Sequence, residues 1–276
     1  MNARDFQKIR WHAIKPINRT FGKAIHRYGL ISEGDRIAVG ISGGIDSLML
    51  MFMLNERQHR IPISYSISGI HINPGFDRQT SDQLMTYCAQ QGYNLTVDYT
   101  EHGLIAHSDQ NRENPCFLCA RLRRKRLFEI ADQLNCNKLA LGHNKDDLIE
   151  TLFINMCYGG EMSTMLPKQS MFKNKFHIIR PLALTDADII RRVSKKLNFP
   201  IIDQFCPSAG KTKRHEIRQM LMDLYQKNHK IKGNLFRALS NVRSDYLLSS
   251  FSDSNRQSEM PNPTGLRIHE RRTKRN

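Results

Sequence analysis

Three groups of residues in this chain have types and spacing suited to chemistry. The run Gly40-Ile-Ser-Gly-Gly-Ile-Asp-Ser47 lies where a β-rich stretch gives way to an apolar helical one. Glycines there let the backbone turn tightly and approach a phosphate, and the free amides opening the next helix attract it. Gly40, Ser42, Gly43, Gly44 and Ser47 are therefore candidate nucleotide-binding residues, and Asp46 a candidate holder of a divalent cation on the phosphates. A plain glycine turn between strand and helix is the other reading. A second block, Leu141-Gly-His-Asn-Lys-Asp-Asp-Leu-Ile-Glu-Thr151, repeats the strand-to-helix context. Its Asp146 and Asp147 suit Mg2+ binding, base catalysis or simple stabilisation of a helix start. The third group is Cys116 and Cys119, three apart at a helix start where a thiolate is favoured, with Cys206 far downstream. Three thiolates leave one iron of a [4Fe-4S] cluster open to an external ligand. Zinc with a fourth ligand, and redox or buried cysteines, fit the spacing equally well. Cys88, Cys136 and Cys157, in or beside apolar helical segments, are expected in the core.

The elements that must position these groups alternate. Strand-like runs at residues 36–41, 63–72, 95–99, 138–141 and 177–180 are separated by helical segments at 46–58, 78–91, 119–134 and 145–158. Such alternation predicts an α/β fold, a parallel sheet with helices on both faces. The seven apolar residues Leu48–Leu54, rich in Leu and Met, predict a helix buried on most sides. A helical arm precedes the sheet (residues 1–34), the nucleotide-binding domain spans 35–183, and a C-terminal helical segment carrying the third cysteine spans 184–250. Within that segment, helices are expected at 186–197, 214–226 and about 235–248. Residues 251–276, rich in Ser, Asn, Pro and charge, read as a basic disordered tail.

Composition narrows the partners. Forty-two Lys and Arg against 26 Asp and Glu give a net charge of +16, which favours a polyanion, RNA or DNA. The densest apolar run falls far short of the roughly 20 residues a spanning helix needs, so no membrane partner is expected. The N-terminal residues lack a secretory pattern, so the cytoplasm is the expected compartment.

Ser-Gly-Gly-x-Asp-Ser at 42–47 resembles the signature of the PP-loop ATP pyrophosphatases, which adenylate a carbonyl oxygen. The Gly142-His-Asn-Lys-Asp-Asp147 block resembles the corresponding segment of their tRNA-modifying branch. With Cys116-Phe-Leu-Cys119-Ala-Arg-Leu-Arg-Arg124, residues 152–160, Ile179-Arg-Pro-Leu182 and Phe199-Pro-Ile-Ile202 before Cys206, the chain is similar, in order, to the tRNA 2-thiocytidine synthetase (TtcA) family from about Arg36 to Leu248. The resemblance implies a [4Fe-4S] cluster on Cys116, Cys119 and Cys206, ATP with Mg2+, and thiolation of cytidine 32 of tRNA with sulfur from a cysteine desulfurase. It implies ATP binding by the glycine loop, by backbone near His71 and by Gly142, and an essential carboxylate at Asp147 with Asp46 beside the phosphates. A homodimer is a candidate assembly. The chain departs from the family at Ile45, where a lysine is usual and Lys145 is an expected substitute; before Cys206, where one residue and a second cysteine are missing; and at His143-Asn144, where the family has His-His. Uridine-54 thiolating relatives carry zinc-finger cysteines at both ends, whereas all six cysteines here lie between Cys88 and Cys206.

Arg121, Arg124 and Lys125 share one helical face beside the cysteine pair, and Lys211, Lys213 and Arg214 follow Cys206. They are expected to grip RNA phosphates, the alternative being a solvated basic face. Two rival functions remain at this stage. A lysidine-type ligase would use the same adenylate without cysteines, and a noncatalytic zinc-stabilised RNA-binding protein would need neither Asp46 nor ATP.

Overall fold

The computed structural model describes residues 3–202, 205–208, 210 and 212–248. Six strands form one sheet in the order β3-β2-β1-β4-β6-β5. They are β1 (Asp35–Gly40), β2 (Tyr65–Asn73), β3 (Leu95–Tyr99), β4 (Lys138–Ala140), β5 (Lys168–Met171) and β6 (Phe176–Ile179). All neighbouring pairs are parallel except β5 with β6, a hairpin at the edge. Its turn runs through Phe172, Lys173 and Asn174, all at positive φ, so no glycine marks it in the sequence.

The apolar run forms α2 (Ile45–Gln58), in which every residue from Ser47 to Leu54 is buried. A helix buried all round sits at the centre of a large domain. The core around it takes Ile37 and Val39 from β1, Ile190 and Val193 from α7 (Ala187–Lys196), and Ile14, Ile17, Phe21 and Ile25 from α1 (Ala3–Tyr28). On the opposite face, α5 (Pro115–Gln133) buries Leu127, Ile130 and Ala131 against Ala38, Ile70 and Leu139. Helices thus cover both faces. The remaining helices are α3 (Gln79–Gln91), α4 (His102–Ala106), α6 (Lys145–Ile154), α8 (Lys213–Lys227) and α9 (Lys230–Ala238). A third small core joins Ile149 of α6 to Ile217 and Leu221 of α8. Among the described residues no helix is long and apolar enough to cross a membrane.

The described residues up to Leu239 form one compact unit, and a second begins at Ser240. The helix expected over 235–248 is instead α9, ending at Ala238, with a single 3-10 turn at Ser244–Tyr246. Polar turn-formers Ser240 and Asn241 follow at once. The proposed tail, 251–276, lies outside the described residues.

The strand order places a site. The chain leaves β1 toward β2 on one side, while β4 lies on the other. Ligands in open α/β sheets bind at such a switch point, beyond the carboxyl ends of the strands. There the Gly40–Ser47 loop meets the block that follows β4.

Candidate active site

Gly44 caps α2 without a side chain, so no side-chain oxygen takes up the first amides of the helix, and only Ser47 N turns back, onto Gly44 O at 3.1 Å; an uncapped helix start of this kind attracts anions. Gly43 turns at φ 92°, a conformation that favours glycine. The two serines brace the loop: Ser47 Oγ donates to Gly44 O at 2.8 Å and accepts from Ser42 N at 3.1 Å, while Gly44 N donates to Ser42 Oγ at 3.3 Å. Ile41 N donates to Ile70 O at 2.8 Å, which fixes the loop beside the end of β2. There His71 Nδ1 lies 2.9 Å from Ile41 O and must donate, leaving buried Nε2 an acceptor with no partner among the described residues. Burial holds this ring neutral by pushing its pKa down.

Gly142 belongs to the site by close approach. A Cβ there would stand 2.9 Å from Ser47 N and 3.0 Å from the Asp46 carbonyl carbon, so the two loops touch backbone to backbone. Asn144, next but one, joins them chemically. Its Oδ1 accepts from Asp146 N (2.9 Å) and Asp147 N (3.2 Å), and its Nδ2 donates to Asp46 Oδ1 at 3.2 Å. Its own N–H donates to Asp147 Oδ2 at 2.9 Å, completing a capping box on α6. A residue noted only as a departure from the family pattern is therefore the buried bridge between both candidate carboxylates. Asp46 is pushed up to about 6 by burial first and by the charge of Asp147 second. Asp147 is raised by burial, against the Asn144 amide and Arg214, whose Nη1 is 3.2 Å from Oδ1. Asp146 points elsewhere, onto Lys232 and the Ala187 amide.

A cavity of about 390 Å³ opens beside this pair, lined by Ile45, Asp46, Asp147, Arg218, Tyr225 and Lys232 among others. Lys145, the expected substitute for a loop lysine, does not line it; its ammonium is 3.2 Å from Asp186 and lies over the Phe236 ring. The lysine lining the cavity is Lys232 of α9, which spacing could not have flagged.

The cysteines reach the same end of the sheet. Asn114 caps α5 by accepting from Cys116 N (3.0 Å) and Phe117 N (3.3 Å), with Pro115 in the first turn. Cys116, Cys119 and Cys206 are free and partly buried. Cys119 feels the charges of both Cys206 and Cys116, and its pKa is raised, chiefly by burial and against Arg123. The expected lowering at a helix start is outweighed by desolvation. Three thiols suit a thiophilic iron–sulfur group by donor type, although among the described residues no three His, Cys, Asp or Glu stand close enough to hold a metal ion. Cys88 and Cys136 are buried as expected, but Cys157 is exposed on a π-helical turn, Asn155–Gly159.

A family model described as a PP-loop domain matches residues 14–225. The tRNA-cytidine(32) 2-sulfurtransferase of Geotalea daltonii is 38% identical over 238 residues, covering 85% of this chain and 94% of the relative. That of Geobacter sulfurreducens is 35% identical over 237 residues, covering 85% and 92%. The chain belongs to the tRNA-cytidine(32) 2-sulfurtransferase family of PP-loop proteins. Among solved structures it is similar in fold to the U34-tRNA thiolase NcsA from Methanococcus maripaludis with its [4Fe-4S] cluster, at a TM-score of 0.69 and 23% identity, covering 85% of this chain and 81% of that one.

In this sulfurtransferase-family chain most of the basic candidates have an acidic neighbour. Arg121 pairs with Glu113 at 3.0 Å, Lys213 with Glu216 at 3.2 Å, and Arg214 with Asp147 and Glu150; Lys125 is largely exposed, 3.9 Å from Glu129. Lys211 lies outside the described residues. Arg124 instead joins Arg123, Arg214 and Arg180 in the field around His143, which burial first and these cations second push down to about 3. Buried Arg180 donates to His143 Nδ1 at 3.1 Å and Leu166 O at 2.6 Å and meets no carboxylate among the described residues. Sequence reading met Arg180 only inside the Ile179–Leu182 motif and gave it no role, because a single arginine before proline carries no spacing signal.

Proposed function

We propose that this chain is an ATP-dependent tRNA sulfurtransferase that replaces O2 of cytidine 32 with sulfur. The observation that supports this reading best is the Asn144 clamp, which sets a helix start with no side-chain cap beside two partly buried carboxylates, at the same end of the sheet as three free thiols. The amides of Gly40–Ser47, with Gly142 and the backbone at His71, bind and orient ATP. The cytosine O2 attacks the α-phosphorus, the bond to the bridging oxygen breaks, and pyrophosphate leaves. Sulfur leaves a cysteine desulfurase as a persulfide; once an external thiol reductant supplies two electrons and frees it as hydrosulfide, being itself oxidised to a disulfide, the hydrosulfide attacks C2, and AMP departs with the oxygen. Adenylation matters because it turns a poor leaving oxygen into a good one. Asp147, with its raised affinity for a proton, accepts the one the incoming sulfur sheds. Asp46 would hold Mg2+, which when bound offsets charge on the departing pyrophosphate. Cys116, Cys119 and Cys206 would hold a [4Fe-4S] cluster, which when bound supplies an open position for sulfide. Arg121, Arg124, Lys125, Lys211, Lys213 and Arg214 contact the RNA. The division into arm, nucleotide domain, helical segment and tail, the cytoplasmic setting and a homodimer belong to the same reading.

The test is anaerobic purification with iron, sulfide and zinc analysis, followed by nucleoside mass spectrometry of tRNA from a deletion strain. Iron and sulfide in the protein and loss of 2-thiocytidine from the tRNA are expected. Zinc without sulfide, or an unchanged nucleoside profile, would reject the reading.

A further inference from the structure

Two large aromatic rings stand out in water beside the thiols. Phe117 follows Cys116 and is 61% exposed; Phe205 precedes Cys206 and is 65% exposed. Neither contributes to the core clusters, so burial does not account for them. Both are nevertheless held in place. The guanidinium of Arg121 lies 5.7 Å from the centre of the Phe117 ring and is itself fixed by Glu113 at 3.0 Å. Phe205 meets the edge of Phe76, centroids 6.2 Å apart at 70°, and Phe76 meets His107 at 5.4 Å. Phe76 in turn packs so closely on Gly103 that a Cβ there would lie 2.6 Å from the ring.

His107 locks the Cys206 segment to this support. Its Nδ1 is 2.8 Å from Gly103 O and must donate, so Nε2 accepts from Ser208 Oγ at 2.8 Å. Because His107 ends α4 and α4 packs on α5, residues 205–208 are fastened beside the helix that carries Phe117. The same helix presents Arg121, Arg123, Arg124 and Lys125. Fixed aromatic faces beside a cationic stripe are the ingredients by which proteins take up unpaired nucleobases, ring on ring, while arginines hold the phosphates.

We infer that Phe117 and Phe205 form a stacking platform for an unpaired base of the RNA substrate, delivering it to the cysteine-lined end of the sheet. This rests on the tRNA reading above and adds the residues that hold the base. It differs from phosphate binding in a measurable way: stacking adds affinity without neutralising phosphates, so it leaves the salt dependence of binding unchanged.

The test uses the anaerobically purified full chain and a synthetic anticodon stem-loop RNA with 2-aminopurine in its loop. Wild type should quench the fluorophore on binding. Phe117→Leu and Phe205→Leu, which keep an apolar side chain but remove the ring, should weaken binding by about 5- to 100-fold and lose quenching. The slope of log K against log salt, the thermal midpoint, the iron content and the mass by light scattering should not change, and Phe117→Trp should bind and quench as wild type does. Leucine variants that bind and quench normally would sink the platform while leaving thiolation untouched. A changed salt slope, lost iron or altered mass would also overturn it, showing that the rings support the loop or contact a second copy. A wild-type protein that binds no RNA would overturn both readings together.

Discussion

Asp46→Asn should make the protein inactive and more stable. Asp46 is lifted from an ordinary 3.8 to about 6 because folding buries it and sets it facing Asp147. A carboxyl raised on folding favours the native state while protonated and opposes it once ionised, so this contribution is lost as pH rises through about 6. At about 1.4 kcal/mol per pKa unit, the native state gives up about 3 kcal/mol by pH 7 and about half of that at pH 5. Asparagine is isosteric, still accepts from Asn144 Nδ2, and carries no charge. In EDTA, urea unfolding should therefore find the variant about 3 kcal/mol more stable at pH 7, with the gap narrowing below pH 6 and closing near pH 4. Mg2+ with ATP should stabilise wild type and not the variant. If Asp46→Asn is no more stable than wild type at pH 7, or if the gap does not depend on pH, the two carboxylates do not confront each other as described.

Gly142→Ala should push the phosphate loop away from the β4 loop, because its Cβ would meet backbone rather than a movable side chain; about 1–3 kcal/mol of stability and most ATP-dependent pyrophosphate release should be lost, read by thermal melting and a phosphate assay. Asn144→Ala removes both a helix cap and a bond that lowers the Asp46 pKa, so it should cost about 1–2 kcal/mol in urea melts and move the pH profile of pyrophosphate release upward. Alanine at Cys116, Cys119 or Cys206 should abolish thionucleoside formation in mass spectrometry while ATP binding survives, whereas Cys88→Ala, deep in the core, should only lower the melting temperature. Lys138→Met strands Asp35, its buried ion-pair partner, and should cost about 3–5 kcal/mol, part of which Asp35→Asn should restore.

What could be read from sequence was what depends on local pattern. The glycine loop announced itself because the turn at Gly43 needs glycine, and α2 because seven apolar Leu, Met and Phe residues leave no polar face. Strand β5 was not legible, since Phe172, Lys173 and Asn174 turn the hairpin with no glycine or proline. Helix α9 was placed too late because Gly233 and Asn234 look like breakers, although the helix runs through both. Within the site, sequence named both carboxylates but not what joins them. Asn144 acts on a residue 98 positions away, and Lys232 meets Asp146 only through tertiary folding. Cys157 shows the converse: an apolar neighbourhood in sequence implied burial, but the π-helical turn carries it to the surface.

Lys232 also bears on where this protein can be cut. The family match ends at residue 225, before α9, and a chain stopped at Lys227 would keep the sheet, both loops and all three cysteines. Asp186 would retain Lys145 and Asp188 would retain Arg191, but Asp146 would lose its one ion-pair partner among the described residues. An unbalanced carboxylate would then adjoin Asp147 at the mouth of the cavity. The smallest piece with the matched sequence is thus not the smallest piece with an intact site, and a minimal fragment must extend through Ala238.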